Sequence, residues 1–104
     1  MDELLVPSEF YLSQNYPNPF KEKTTIKYCV PDKTLIKITV LDTDMTIIKE
    51  LENEVKGAGT YEVEFSREAG SASSGNARNL PSGTYFYRFE TKGFNKTKEM
   101  ILTE

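Results

Sequence analysis

The chain has 104 residues, which suits one domain and leaves little room for two. Its net charge of −3 gives no general attraction to nucleic acid or to anionic lipid. It contains no histidine, and so lacks the commonest general base, the commonest metal ligand and every Ser-His or Cys-His pair.

In chain order, the ordered stretches read with period two. "TTIKYCV" sets Ile26, Tyr28 and Val30 on one face, with Lys27 opposite. "LIKITVLD" sets Ile36, Ile38 and Val40 against Lys37 and Thr39. "TYEVEF" alternates Tyr61, Val63 and Phe65 with Glu62 and Glu64, and "TYFYRFE" alternates Tyr85, Tyr87 and Phe89 with Phe86 and Arg88. "KEMILTE" pairs Met100 with Leu102. Alternation rich in β-branched and aromatic residues is the strand signature. The segment "TIIKELENEV" is ambiguous, because Ile47, Ile48, Leu51 and Val55 fit a helical face nearly as well. Its neighbours are all strands, and a strand is assigned over residues 47–52.

Seven strands are predicted, over about residues 9–13, 24–30, 34–42, 46–52, 60–65, 83–91 and 96–102. Turn residues stand between them in "VPDKT", "KGAGT", "LPSGT" and "KGFNK", where glycine permits φ > 0 and proline fixes φ. The pattern predicts an all-β fold, an immunoglobulin-like antiparallel β-sandwich of about seven strands. Residues 1–8 read as an N-terminal linker and 9–104 as the domain. Residues 67–79, "REAGSASSGNARN", are small and polar and read as a flexible loop. Tyr61, Val63, Phe65, Tyr85 and Tyr87 are expected in the core.

The segment "QNYPNPF" mixes turn and core signals. Pro17 and Pro19 fix their own φ and bias Tyr16 and Asn18 toward extended backbone. Asn15 and Asn18 suit Asx-type turns. Tyr16 and Phe20 are then expected to be buried from a rigid crossover between the first two strands.

Catalytic and ligand chemistry finds little support. Glu62 and Glu64 alternate with core residues and read as a solvated face, not as a carboxylate pair of a glycosidase. Asp42-Thr43-Asp44 has oxygen ligands of the kind calcium takes, but a turn after a strand accounts for it. "YFYRF" carries a single basic residue and reads as packing rather than as a nucleic-acid sheet. Cys29 is the sole cysteine, so no internal disulfide forms, and it reads as a semi-buried strand residue. No apolar run approaches a membrane span, and the acidic N-terminus does not resemble a secretory leader. No cofactor, metal, nucleic acid or small-molecule substrate is expected.

"FYLSQNYPNPFKEKTTIKYCVP" resembles the opening of the type A C-terminal sorting domain of the type IX (Por) secretion system. That family tends to read F-x-L-x-Q-N-Y-P-N-P-F-N-P-x-T-x-I-x-Y-x-L/V-P. Here Phe10, Leu12, Gln14, Asn15, Tyr16, Pro17, Asn18, Pro19, Phe20, Ile26, Tyr28 and Pro31 fit, with Thr24 or Thr25. "IKITVLD", "AGTYEVEF", "NLPSGTYFYRF" and "KTKEMIL" are similar to later family strands, in order. Lys21 and Glu22 stand where the family usually has Asn-Pro, and "ILTE" ends the chain where many members end on a basic residue. Met45 stands where the family usually has a hairpin glycine. A non-glycine residue at φ > 0 costs about 1–2 kcal/mol, so either the turn differs or the strain is tolerated.

The resemblance implies a non-catalytic targeting role. A fused N-terminal cargo would cross the periplasm and reach the cell surface or the extracellular space. The folded domain would be recognised by the outer-membrane translocon, and a sortase-like peptidase would remove it. Candidate recognition residues are Gly83, Tyr85, Phe86, Tyr87, Arg88, Lys98, Met100 and Leu102, near the chain end, with the last strand as an exposed edge. The resemblance also extends to the Ig-like domain of flagellar hook-capping proteins. The alternative function is a structural or adhesive Ig-like spacer of a cell-surface or extracellular protein.

Overall fold

Seven strands form two antiparallel sheets in a computed structural model that describes residues 8–67 and 80–103. They are β1 (Tyr11–Leu12), β2 (Lys23–Val30), β3 (Thr34–Leu41), β4 (Ile47–Lys56), β5 (Gly59–Ser66), β6 (Gly83–Glu90) and β7 (Asn95–Leu102). One sheet has the order β1-β2-β5 and the other β4-β3-β6-β7. No α-helix occurs among the described residues. The predicted linker over residues 1–8, all but Ser8, lies outside the described residues. So does the predicted loop, apart from its first residue, Arg67.

Period two puts the core where the sequence placed it. Thr24, Ile26, Tyr28 and Val30 face inward from β2, and Ile36, Ile38 and Val40 from β3. Tyr85, Tyr87 and Phe89 do so from β6, and Met100 and Leu102 from β7. Phe89 meets Tyr28 across the sandwich, with ring centroids 5.2 Å apart, and Phe10 and Phe94 close its flank. Full burial of each such side chain contributes roughly 1.5–3 kcal/mol.

Tyr61 and Val63 depart from the prediction. They are half-buried and pack against the core's margin, because β5 is an edge strand with a neighbour on one side only. The ring of Tyr61 stacks on Tyr28 and lies 5.0 Å beneath the Lys56 ammonium. Lys56 also holds Glu54 at 2.8 Å and Glu52 at 3.9 Å, at the end of β4 that turns over into β5. The hydrogen bond from Lys56 keeps the Glu54 carboxyl below its ordinary range, while burial raises that of Glu52.

β4 is longer than predicted and explains its own ambiguous pattern. Its pairing with β3 slips twice, between Ile38 and Thr39 and between Val40 and Leu41. Leu51 and Ile48 are the residues left without a partner, and both pack against the core. Two bulges reset the strand's phase, which is why its apolar residues lose period two and imitate a helix.

The β3–β4 hairpin turns through residues 42–46. Asp42 accepts from the Met45 N–H through its carbonyl and from the Asp44 and Thr46 N–H groups through its carboxylate. Met45 sits at φ 65°, the left-handed position that closes a three-residue hairpin. The turn therefore keeps the form expected with glycine, and the methionine carries the strain. Asp42 is the turn's internal cap, in line with the sequence reading of a turn.

Candidate recognition surface

The crossover of residues 14–20 leaves β1 on one sheet and ends on the outer edge of β7 in the other. Ser13 still belongs to the first sheet, since its N–H donates to the Lys27 carbonyl. Its own carbonyl accepts from the Tyr87 hydroxyl at 2.6 Å, a bond that spans the sandwich. Burial pushes the pKa of that hydroxyl up to about 12. Tyr16 exchanges backbone bonds with Thr25, both at 2.9 Å. Phe20 then forms a parallel bridge with Leu102: its N–H donates to Ile101 and its carbonyl accepts from Thr103.

Asn15 is buried and makes the segment self-consistent. Its amide nitrogen donates to Thr24 Oγ1 at 3.0 Å and to the Pro17 carbonyl at 3.2 Å. Thr24 Oγ1 donates in turn to the same Pro17 carbonyl at 2.8 Å, so this small network has its donors and acceptors matched. The peptide bonds preceding Pro17 and Pro19 are cis.

Asn18 does not form the local turn expected of it. Its Oδ1 accepts from the N–H of Ile101, at 2.9 Å. Gln14 acts alike, its amide donating to the Glu99 carbonyl at 2.7 Å and to Asn15 Oδ1 at 2.8 Å. Two side chains and one backbone stretch of the crossover thus cover the second half of the β7 edge.

The two aromatics part company. Phe20 is buried and meets Phe65 edge-on at 6.2 Å, as expected. Tyr16 is 80% exposed, contrary to expectation. Its backbone pairs with β2 from the sheet's edge, and that geometry turns the ring out over a shallow groove lined by Ser13, Gln14, Thr25, Lys27 and Glu62.

The residues singled out near the chain end divide by phase. Tyr85, Tyr87, Met100 and Leu102 are core, and the Tyr85 hydroxyl is held by the Pro81 carbonyl at 2.6 Å. Phe86, Arg88 and Lys98 are half-buried. Gly83 is exposed and has φ 150°, so its place is explained by backbone conformation at the start of β6. The sequence pattern includes Thr24 but not its bond to Asn15, and it gives no sign of Arg67. Arg67 reaches the Leu80 carbonyl, Ser82 Oγ and the Thr103 carbonyl, tying the end of β5 to the end of the chain. A lone arginine at the border of a polar stretch carries no sequence signal for that clamp.

Among the described residues no group of acidic or thiol side chains is arranged to hold a metal ion. The arrangement offers a rigid outer face and strand edges, the means of recognition by a protein. A family model described as a secretion system C-terminal sorting domain matches residues 14–103. The chain belongs to that family, whose members serve as C-terminal signals for type IX export to the cell surface or the extracellular space.

Among solved structures, the fold is similar to that of dimeric latent PorU from Porphyromonas gingivalis. The TM-score is 0.66 at 14% identity, over 93% of this chain and 10% of that one. The chain thus spans about a tenth of that protein's length, and the likeness is one of fold. No curated protein matches the chain.

Proposed function

We propose that this domain is a non-catalytic address that the outer-membrane translocon of the type IX system reads in the folded state. The cargo is fused at its N-terminal side and passes through the periplasm, and a sortase-like peptidase then removes the domain as the cargo reaches the surface. The observation that carries this reading is the family match over residues 14–103, which takes in the crossover and the strands β2 to β7. Of the residues proposed for recognition, Gly83, Phe86, Arg88 and Lys98 are accessible for direct contact. Tyr85, Tyr87, Met100 and Leu102 act by holding the sandwich in shape.

The test is a fluorescent reporter carrying an inner-membrane export signal and this domain at its C-terminus, in a host with type IX machinery. Appearance outside the outer membrane is expected. Retention in the periplasm, while a known sorting domain exports the same reporter, contradicts the reading and favours a spacer role.

A further inference from the structure

A folded β-domain exposes backbone at its sheet edges, and here the edges are unequal. β1 has only two residues, β4 is broken by two bulges, and β5 sets Glu62 and Glu64 on its outer face. Short length and bulges discourage strand addition, and the β5 glutamates repel an acidic segment. The β7 edge is different. Antiparallel alternation turns the N–H and C=O groups of its odd-numbered residues away from β6. The crossover takes both groups of Ile101, the carbonyl of Glu99 and the N–H of Thr103. Among the described residues no partner meets the backbone groups of Asn95 and Thr97 or the N–H of Glu99.

Charge says what fits there. Lys96 and Lys98 flank Thr97 and share one face of the strand, Lys92 lies in the preceding turn, and Arg88 Nε is 3.4 Å from Thr97 Oγ1 on the opposite face, where the exposed Glu99 also stands. No carboxylate among the described residues lies within ion-pair distance of these four cations. A second copy of the chain pairing antiparallel about Thr97 would set Lys96 against Lys98, which is unfavourable. An extended segment with glutamate or aspartate at alternate positions meets the same lysines with opposite charge.

We infer that the uncovered start of the β7 edge, at Asn95, Thr97 and Glu99, is a strand-addition site for an acidic extended segment of the export machinery. This rests on the export reading above. The crossover sets the length of the docked strand, because an incoming chain meets Gln14 and Asn18 where the free edge ends.

The probe is a synthetic peptide of alternating glutamate and valine, with a lysine-valine peptide as control. The glutamate peptide shifts the amide signals of Asn95, Thr97 and Glu99 in the isotope-labelled domain and slows their hydrogen exchange. The Lys96→Glu, Lys98→Glu double variant weakens this binding by about tenfold or more and takes up the lysine peptide instead. Thr97→Pro removes an outward N–H that the fold does not use, together with the exposed Arg88–Thr97 contact, so the domain stays folded but loses both peptide binding and reporter export. Peptide shifts spread over other strands overturn the inference. So does unchanged affinity in the double variant, self-association through this edge, or normal export of the folded Thr97→Pro domain. Normal export of that variant leaves the sorting reading intact. Failure of the unaltered domain to export strikes the sorting reading itself, and the peptide titration still decides whether the edge is a site.

Discussion

The backbone N–H of Phe20 donates to the carbonyl of Ile101 at 2.9 Å, while the Phe20 ring lies in the core. One residue thus plugs the sandwich and closes part of its last edge. Replacing it with alanine removes a buried aromatic, and Phe20→Ala is expected to cost about 3–5 kcal/mol of the domain's stability. Tyr16→Ala is expected to cost no more than about 0.5 kcal/mol, since the ring is exposed. Urea melts of the two variants check both, and a loss under about 1 kcal/mol for Phe20→Ala contradicts the packing described.

Asn15→Ala leaves the Thr24 hydroxyl without its amide donor and removes the acceptor of one Gln14 N–H. A buried group stripped of its partner costs about 1–3 kcal/mol. The expected outcome is a destabilised domain with crossover amide signals displaced and β3–β4 signals unchanged, as a proton–nitrogen correlation spectrum reads directly.

Met45→Gly is expected to stabilise the domain by about 1 kcal/mol, because glycine adopts a φ of 65° without the strain that a side chain meets. A chemical melt of this variant that falls below that of the parent domain would contradict the left-handed turn.

The buried tyrosines set the response to pH. Tyr28, Tyr85 and Tyr87 all have pKa values raised above 10.0, chiefly by burial. An acid whose pKa is higher folded than unfolded stays protonated in the native state while the unfolded chain ionises. Stability is therefore full below pH 10 and falls as pH rises, for Tyr87 between 10 and about 12. With no histidine, the chain has no side chain whose ordinary pKa lies between about pH 6 and 8, and stability is expected to be nearly flat there. Thermal melts against pH check both ranges, and Tyr87→Phe should make the alkaline decline shallower.

Deletion of residues 98–104 is expected to unfold the domain, since Met100 and Leu102 leave the core with it. Circular dichroism of the shortened chain checks this. Loss of export after such a deletion would report unfolding, so point variants on β7 are the cleaner probes of recognition.

The strands and most of the core were legible because a strand with one buried face writes its phase into the sequence, as β2 and β6 do. The length of β4 was not, because its two bulges erase that phase. Tyr16 and Asn18 were misjudged for a related reason. Local backbone preference identifies a turn-rich segment but not which neighbour each residue lies against: Tyr16 pairs with Thr25 at the edge of β2, and Asn18 meets Ile101 of β7, 83 residues away in sequence. The edge of β7 was legible as an edge, while its partial cover by Gln14, Asn18 and Phe20 required the fold.

Hydrogen exchange at four outward N–H groups of the chain end decides whether the crossover covers the second half of the β7 edge and leaves the first half open. The N–H groups of Ile101 and Thr103 donate to Asn18 Oδ1 and to the Phe20 carbonyl, whereas those of Thr97 and Glu99 have no partner among the described residues. Slow exchange is expected at Ile101 and Thr103, fast exchange at Thr97 and Glu99, and acceleration at Ile101 alone in Asn18→Ala. Equal rates at all four positions, or an Asn18→Ala domain in which Ile101 stays protected, would contradict this division of the edge.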